Sequence, residues 1–187
     1  SRGLGDVYKR QVMAMCQTHL KHLTKQKTSP ADILKLLNEE LLKTMRPGMF
    51  VTLSLGIINL RTNTLTIARA GHEAPLFFSP NHKDKLFPIE VSGMALGIDP
   101  PDIFNQKIED FTLSFLKGDV LVLYTDGVTE MENKKQVEFS TDRLMRIIYR
   151  TSSKNAKSIV SEIIKSLNNF SEAVSYTHLR AHETSVD

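Results

Sequence analysis

Two neighbouring segments in the middle of the chain alternate apolar and polar residues. In "VTLSLGI" (residues 51–57) every odd position is apolar, and "TLTIARA" (residues 64–70) repeats the alternation. Successive side chains of a strand point to opposite faces, so this period predicts two strands that each bury one face. The short connection between them makes the pair an antiparallel hairpin. Such a hairpin needs a second layer of sheet or helix to cover its apolar face.

Short apolar runs after the hairpin predict further strands. They cover about residues 76–78, 86–91, 104–116 and 119–125. Short turns such as Lys117-Gly118 join adjacent strands, which is typical of an antiparallel sheet. The segment "SGMALGIDPP" (residues 92–101) is interpreted as a glycine-punctuated connection with no helix after it, and it lacks the spacing of a phosphate-binding loop.

Helical periodicity flanks this block of strands on both sides. A first amphipathic helix is predicted over about residues 12–25, and a second begins with Ser29 as N-cap and Pro30 at its first position. After the strands, Ser140 and Asn155 can each cap a further helix. Helices, then strands, then helices predict an α+β layered domain.

Composition and charge exclude several classes of function. The net charge of +3 gives no reason to expect nucleic-acid binding. No apolar run is long enough to span a bilayer and no secretory leader opens the sequence, so we expect a cytoplasmic protein without membrane insertion. The single Cys16 lies in the apolar stretch "VMAMC" and is expected to pack as a small hydrophobe.

Both ends differ from the middle. Residues 1–11, "SRGLGDVYKRQ", and 175–187, "SYTHLRAHETSVD", lack the periodicity of the rest, and each resembles a translated sequencing-library adapter. We interpret them as extraneous, which leaves residues 12–174 as the domain. His178 and His182 have a spacing that can hold zinc on a helix, but no third ligand accompanies them.

The stretch "DVLVLYTDGVTE" (residues 119–130) runs an apolar strand into Asp126 and Gly127. An acidic residue followed by glycine is frequent in turns, and a carboxylate at a strand tip also suits Mg²⁺ or Mn²⁺. Both interpretations of Asp126 stay open on residue chemistry. A phosphatase with an Asp nucleophile two positions earlier is disfavoured, because Tyr124 stands there.

The segment "ARAGHEAPLFF" (residues 68–78) places His72 and Glu73 between Gly71 and Pro75. A histidine in such a tight loop can serve as acid, base or ligand, or have a purely structural role.

Taken together, these pieces resemble one family. The order and spacing of "FVTLSLGIINLRTNTLTIARAGHEAPLFF", "GMALGID", "FTLSFLKGDVLVLYTDGVTEMEN" and "EFSTDRLMRII" resemble the metal-dependent PPM-type serine/threonine phosphatase domain of the bacterial SpoIIE/RsbU group. The sharpest parts are "AGH" followed by proline and "LYTDGVTE". The resemblance covers most of residues 12–174.

The resemblance implies a fold, a cofactor and a set of site residues. It implies an antiparallel β-sandwich flanked by helix pairs, an αββα arrangement, with two Mn²⁺ or Mg²⁺ ions that activate a water molecule for attack on phosphoserine or phosphothreonine. It places Asp126 among the metal ligands. It also implies that Gly71, His72, Gly127 and Glu130 shape the site without ligating metal.

The resemblance also implies partners and a cytoplasmic location. The expected substrate is a phosphorylated bacterial regulatory protein, such as an anti-sigma-factor antagonist. The first two helices correspond to the pair that responds to regulatory partners in this group.

The family's remaining metal ligands come from a "GD…GHG" segment before the first helix and from an Asp pair on the last strand. We find neither, so we expect a domain truncated at both ends and without activity in this form. The alternative is a degenerate phosphatase fold that serves as a non-catalytic interaction module.

Overall fold

The computed structural model describes residues 2–25, 29–83 and 85–171. The helices are α1 (Arg2–Leu23), α2 (Pro30–Thr44), α3 (Pro101–Lys107), α4 (Asp126–Thr129), α5 (Thr141–Thr151) and α6 (Ala156–Ser171). The strands are β1 (Leu53–Asn59), β2 (Thr64–Ala70), β3 (Leu76–Ser79), β4 (Lys85–Pro88), β5 (Phe111–Ser114) and β6 (Val120–Val122). The chain divides into two compact units between Thr125 and Asp126. Within the described ranges, no helix combines the length and apolarity that crossing a bilayer requires.

The hairpin predicted from the alternation is confirmed. Strands β1 and β2 pair antiparallel from Leu53 opposite Ala70 to Asn59 opposite Thr64. In the turn, the Asn59 side chain accepts hydrogen bonds from the backbone of Arg61 and Thr62. This side chain replaces part of the ladder where the backbone reverses.

Two three-stranded antiparallel sheets form the first unit, with strand orders β1-β2-β5 and β4-β3-β6. Leu65 and Ile67 of β2 share one buried cluster with Phe77 of β3. The Phe77 ring meets the Phe87 ring edge to face, with centroids 5.6 Å apart. The two sheets therefore bury a common apolar layer, and the predicted α+β fold with antiparallel sheets is confirmed.

Helices α1 and α2 cover the opposite face of the hairpin. The buried cluster there combines Leu34 and Leu37 of α2 with Ala68 of β2 and with Cys16 of α1. Burial raises the pKa of the Cys16 thiol, which disfavours the reactive thiolate and agrees with the predicted packing role. At the start of α2, the Ser29 side chain accepts a hydrogen bond from the Asp32 backbone, as a helix cap does.

Helix α3 corrects two predictions. The structure places a helix directly after the glycine-punctuated loop, and the strand expected over residues 104–116 is only Phe111–Ser114. Pro101 occupies the first helical position and Asp102 the first turn, which is the sequence signal for a helix start that the strand prediction overlooked. Phe104 is fully buried on this helix.

Helix α1 begins at Arg2, earlier than the predicted residue 12. Tyr8 and Met15 pack beside the buried Val12, so the apolar stripe extends into the segment that we interpreted as unpatterned. In the second unit, Ser140 and Asn155 precede α5 and α6 as predicted, but only the Asn155 side chain makes a capping hydrogen bond. Residues 175–187, with the His178 and His182 pair, lie outside the described residues.

Candidate functional site

The segment that carries Asp126 leaves its sheet earlier than the sequence predicted. Strand β6 ends at Val122 rather than at residue 125, and its last pairing is with Leu76 of β3. The next partner would be Pro75, which has no backbone N–H to donate, so the ladder stops there. Asp126 therefore does not stand at the strand tip, and it opens the short helix α4 instead.

Asp126 is exposed and lies in a turn that it helps to close. Its Oδ1 accepts a 2.7 Å hydrogen bond from the Gly127 backbone, and its carbonyl oxygen accepts a 2.8 Å bond from the Glu130 backbone. Gly127 has an ordinary helical position without a positive φ, so the chain exits through a helical turn. The backbone of Glu130 makes the closing bond, and its side chain is exposed.

The "AGH" loop follows β2 in the first unit. Gly71 has φ +66°, a conformation that favours glycine, and a Cβ there would lie 2.7 Å from the Ala95 backbone nitrogen. His72 is half-buried, and its Nδ1 lies 3.1 Å from the Thr52 hydroxyl. The loop is therefore fixed at Gly71 and His72, the two of its residues to which the family resemblance gives a site-shaping role.

The loop of residues 91–99 packs against this one, backbone to backbone. A Cβ on Gly93 would overlap the carbonyl oxygen of Arg69, and Gly71 leaves the matching space for Ala95. We call residues 69–73 and 91–99 the interlocked loops. Two glycines without side chains allow this close approach.

Arg69 joins the interlocked loops through three hydrogen bonds to backbone carbonyls. Its Nε and Nη2 donate to the Val91 oxygen at 3.0 and 2.9 Å, and its Nη1 donates to the His72 oxygen at 2.8 Å. A carboxylate oxygen of Glu90 lies 3.9 Å from Nη2. This role was not predicted from the sequence, although an arginine at an inward position of a buried strand was a visible signal.

Asn38 of α2 fixes the far end of the second loop. It is fully buried, accepts a 2.8 Å hydrogen bond from the Gly97 backbone and donates a 3.1 Å bond to the Asp99 carbonyl. The role of Asn38 was not predicted from the sequence either. The signal was an amide on the apolar stripe of α2, because a buried polar side chain is almost always hydrogen-bonded.

The predicted site residues therefore fall into two groups, one in each unit. Gly71 and His72 belong to the interlocked loops, whereas Asp126, Gly127 and Glu130 form the helical turn. Asp126 has the oxygen chemistry that Mg²⁺ and Mn²⁺ prefer. Among residues 2–25, 29–83 and 85–171, however, no three His, Cys, Asp or Glu side chains are grouped so that they could hold a metal ion.

Several solved bacterial phosphatase domains are similar to this chain in structure. The RsbU and RsbW domains of Rv1364c from Mycobacterium tuberculosis match 86% of this chain and 43% of that one, with 18% identity and a TM-score of 0.70. The Mn-presoaked phosphatase domain of the cell fate determinant SpoIIE from Bacillus subtilis matches 83% of this chain and 65% of that one, with 17% identity and a TM-score of 0.56. The fold is thus that of PP2C-type phosphatase domains.

The sequence defines the family more narrowly. Residues 9–175 match the family model of stage II sporulation protein E, SpoIIE, and the chain belongs to that family. The phosphoserine phosphatase RsbU of Bacillus subtilis is 30% identical over 159 residues, which cover 82% of this chain and 45% of RsbU. Protein IcfG of Synechocystis is 33% identical over 118 residues, or 63% of this chain and 17% of IcfG. The chain thus spans less than half of either relative.

Proposed function

We propose that the chain is part of a metal-dependent protein phosphatase that hydrolyses phosphoserine or phosphothreonine, with Asp126 as one metal ligand. The observation that carries the proposal is the exposed Asp126 carboxylate in the family's "TDG" position. Its Oδ1 already accepts the Gly127 N–H. Its Oδ2 accepts no hydrogen bond from the described residues and is open to a cation.

Divalent cations are the cofactor that this chemistry requires. Paired Mg²⁺ or Mn²⁺ ions, when bound, lower the pKa of a coordinated water and neutralise charge on the phosphoryl group. The SpoIIE domain solved after a manganese soak and RsbX solved with magnesium support either metal. The described residues supply one ligand, so the other ligands of two ions must come from elsewhere. In this proposal the chain's own contribution is to hold Asp126 at the start of a closed helical turn.

The proposed substrate is a phosphorylated regulatory protein such as an anti-sigma-factor antagonist, and the proposed location of the reaction is the cytoplasm. The relative RsbU bears the name phosphoserine phosphatase, which supports a phosphoserine substrate. We further propose that α1 and α2 receive a regulatory partner. These helices pack on the hairpin that leads into the "AGH" loop, so a shift of the two helices would displace that loop.

The test compares this polypeptide with an extended version, in which residues 1–11 and 175–187 are replaced by the longer segments that flank residues 12–174 in the source gene. We expect Mn²⁺-dependent hydrolysis of a phosphoserine peptide by the extended protein and none by the polypeptide alone. Asp126→Asn in the extended protein should lower kcat by at least about a hundredfold. Mn²⁺ affinity, measured by calorimetry, should fall with it.

Asp142→Asn is the matched control, because it removes another exposed carboxylate from the first turn of α5. This control should retain both turnover and Mn²⁺ affinity. Turnover by the polypeptide alone that Asp126→Asn abolishes would refute the truncated-domain part of the proposal. An extended protein that neither binds Mn²⁺ nor hydrolyses the peptide would refute the phosphatase and leave the non-catalytic interaction module.

A further inference from the structure

Helices α5 and α6 border an open cleft that the proposed phosphatase reaction does not use. The cleft has a volume of about 420 Å³ and lies wholly within the second unit. Phe139, Ile147 and Phe170 give it an apolar lining, and Arg143 and Arg146 line it with positive charge. We call it the α5–α6 cleft.

The aromatic rings of the cleft already have partners. Phe139 is buried, and its ring meets that of Phe170 edge to face with centroids 5.3 Å apart. The guanidinium carbon of Arg143 lies 4.5 Å from the centroid of the Phe170 ring. One ring edge and one guanidinium thus occupy part of the ring surface on which a nucleic-acid base would stack.

Arg143 is held in place, and both arginines keep donors available. Arg143 is half-buried and donates one hydrogen bond, from Nη1 to the Glu138 carbonyl at 3.2 Å. Arg146 lies three residues further along α5 and is exposed, so the two guanidinium groups flank one surface of the helix. Within the part of the chain that the structure describes, neither arginine pairs with a carboxylate.

The two helices that border the cleft carry an excess of positive charge. Residues 141–171 carry six Lys or Arg against two Asp or Glu, a net charge of +4, whereas the whole chain carries +3. The positive charge of the protein is therefore concentrated on this helix pair. An excess of this kind attracts an acidic partner and accelerates its association.

We propose that the α5–α6 cleft binds an acidic peptide segment of a partner protein. A carboxylate of the segment accepts hydrogen bonds from Arg143 and Arg146, because the planar guanidinium matches a carboxylate with two parallel N–H groups. A neighbouring apolar side chain of the segment packs over Ile147 and the exposed part of Phe170. This docking surface is independent of the phosphatase proposal and stands if that proposal fails.

The test measures binding of a short fluorescein-labelled peptide of Glu, Asp and Leu by fluorescence anisotropy at physiological salt. The complete chain should bind this peptide and should bind the matched peptide of Gln, Asn and Leu at least about tenfold more weakly. Arg146→Gln should weaken binding of the acidic peptide by about tenfold, and the double variant Arg143→Gln with Arg146→Gln should weaken it further. Arg146 is exposed, so its single variant tests the cleft even if the double variant does not fold.

Lys157→Gln combined with Lys165→Gln is the control, because it removes two exposed positive charges from α6 outside the cleft. We expect this control to weaken peptide binding by less than about threefold. Equal losses in both double variants, or no binding of the acidic peptide, would overturn the proposal. Tighter binding of a single-stranded oligonucleotide that Arg146→Gln abolishes would assign the cleft to nucleic acid. A dimer that Arg146→Gln dissociates would assign it to a second copy of this chain.

Discussion

The interlocked loops and the Asp126 turn both contain short motifs with glycine, but the two motifs have different structural roles. In the interlocked loops, Gly71 and Gly93 are required because another backbone occupies the space of a side chain. In the turn, the Asp126 carboxylate is exposed and accepts only a bond from its neighbour, Gly127. Packing explains the glycines of the first motif, whereas the hydrogen bond in the turn uses only Oδ1 of Asp126 and leaves Oδ2 exposed. That contrast favours a chemical role for Asp126.

The largest effect is expected at Gly93. The Cβ of Gly93→Ala would overlap the Arg69 carbonyl oxygen, so the backbone must move, and we expect a loss of about 3 kcal/mol or more in the free energy of unfolding. Urea denaturation measures this loss. Gly48→Ala is the control: Gly48 has a positive φ, +84°, which Gly93 lacks, but no atom lies within 4 Å of the added Cβ, and the cost should be about 1–2 kcal/mol. Equal costs at the two positions would show that the loops do not interlock.

An intermediate effect is expected at Arg69. Arg69→Met removes the donors for the Val91 and His72 carbonyls but keeps much of the packing volume. The expected loss is about 2–3 kcal/mol, since hydrogen bonds from a charged donor are the stronger kind. Thermal unfolding measures this loss, and Arg61→Met is the control. Arg61 is an exposed arginine of the hairpin turn, so its substitution should cost less than about 0.5 kcal/mol. A loss of stability no larger than that of Arg61→Met would show that the Arg69 hydrogen bonds do not stabilise the interlocked loops.

The smallest effect on stability is expected at Asp126. Asn keeps the Oδ1 that accepts the Gly127 N–H, so Asp126→Asn should change the free energy of unfolding by less than about 0.5 kcal/mol. The same urea titration serves as the measurement. A loss comparable to that at Gly93 would mean that the carboxylate is structural, and the contrast between the two motifs would disappear.

Much of the fold could be predicted because it depends on local patterns. The alternation of β1 and β2 gave their pairing, and Ser29 with Pro30 marked the start of α2. The missed start of α3 at Pro101 was an overlooked local signal, but another error arose where a distant partner sets an element's end. Strand β6 stops because Pro75, which precedes β3, cannot continue the ladder, and no pattern within β6 contains that information.

The candidate site shows the same division. The sequence alone was sufficient to single out Asp126, His72 and both flanking glycines, because their residue types and order carry the family resemblance. Only the tertiary structure revealed that Arg69 and Asn38 fix the loops. Each bonds backbone groups that are far away along the chain, and a sequence pattern does not record which distant carbonyl or N–H a polar side chain will reach.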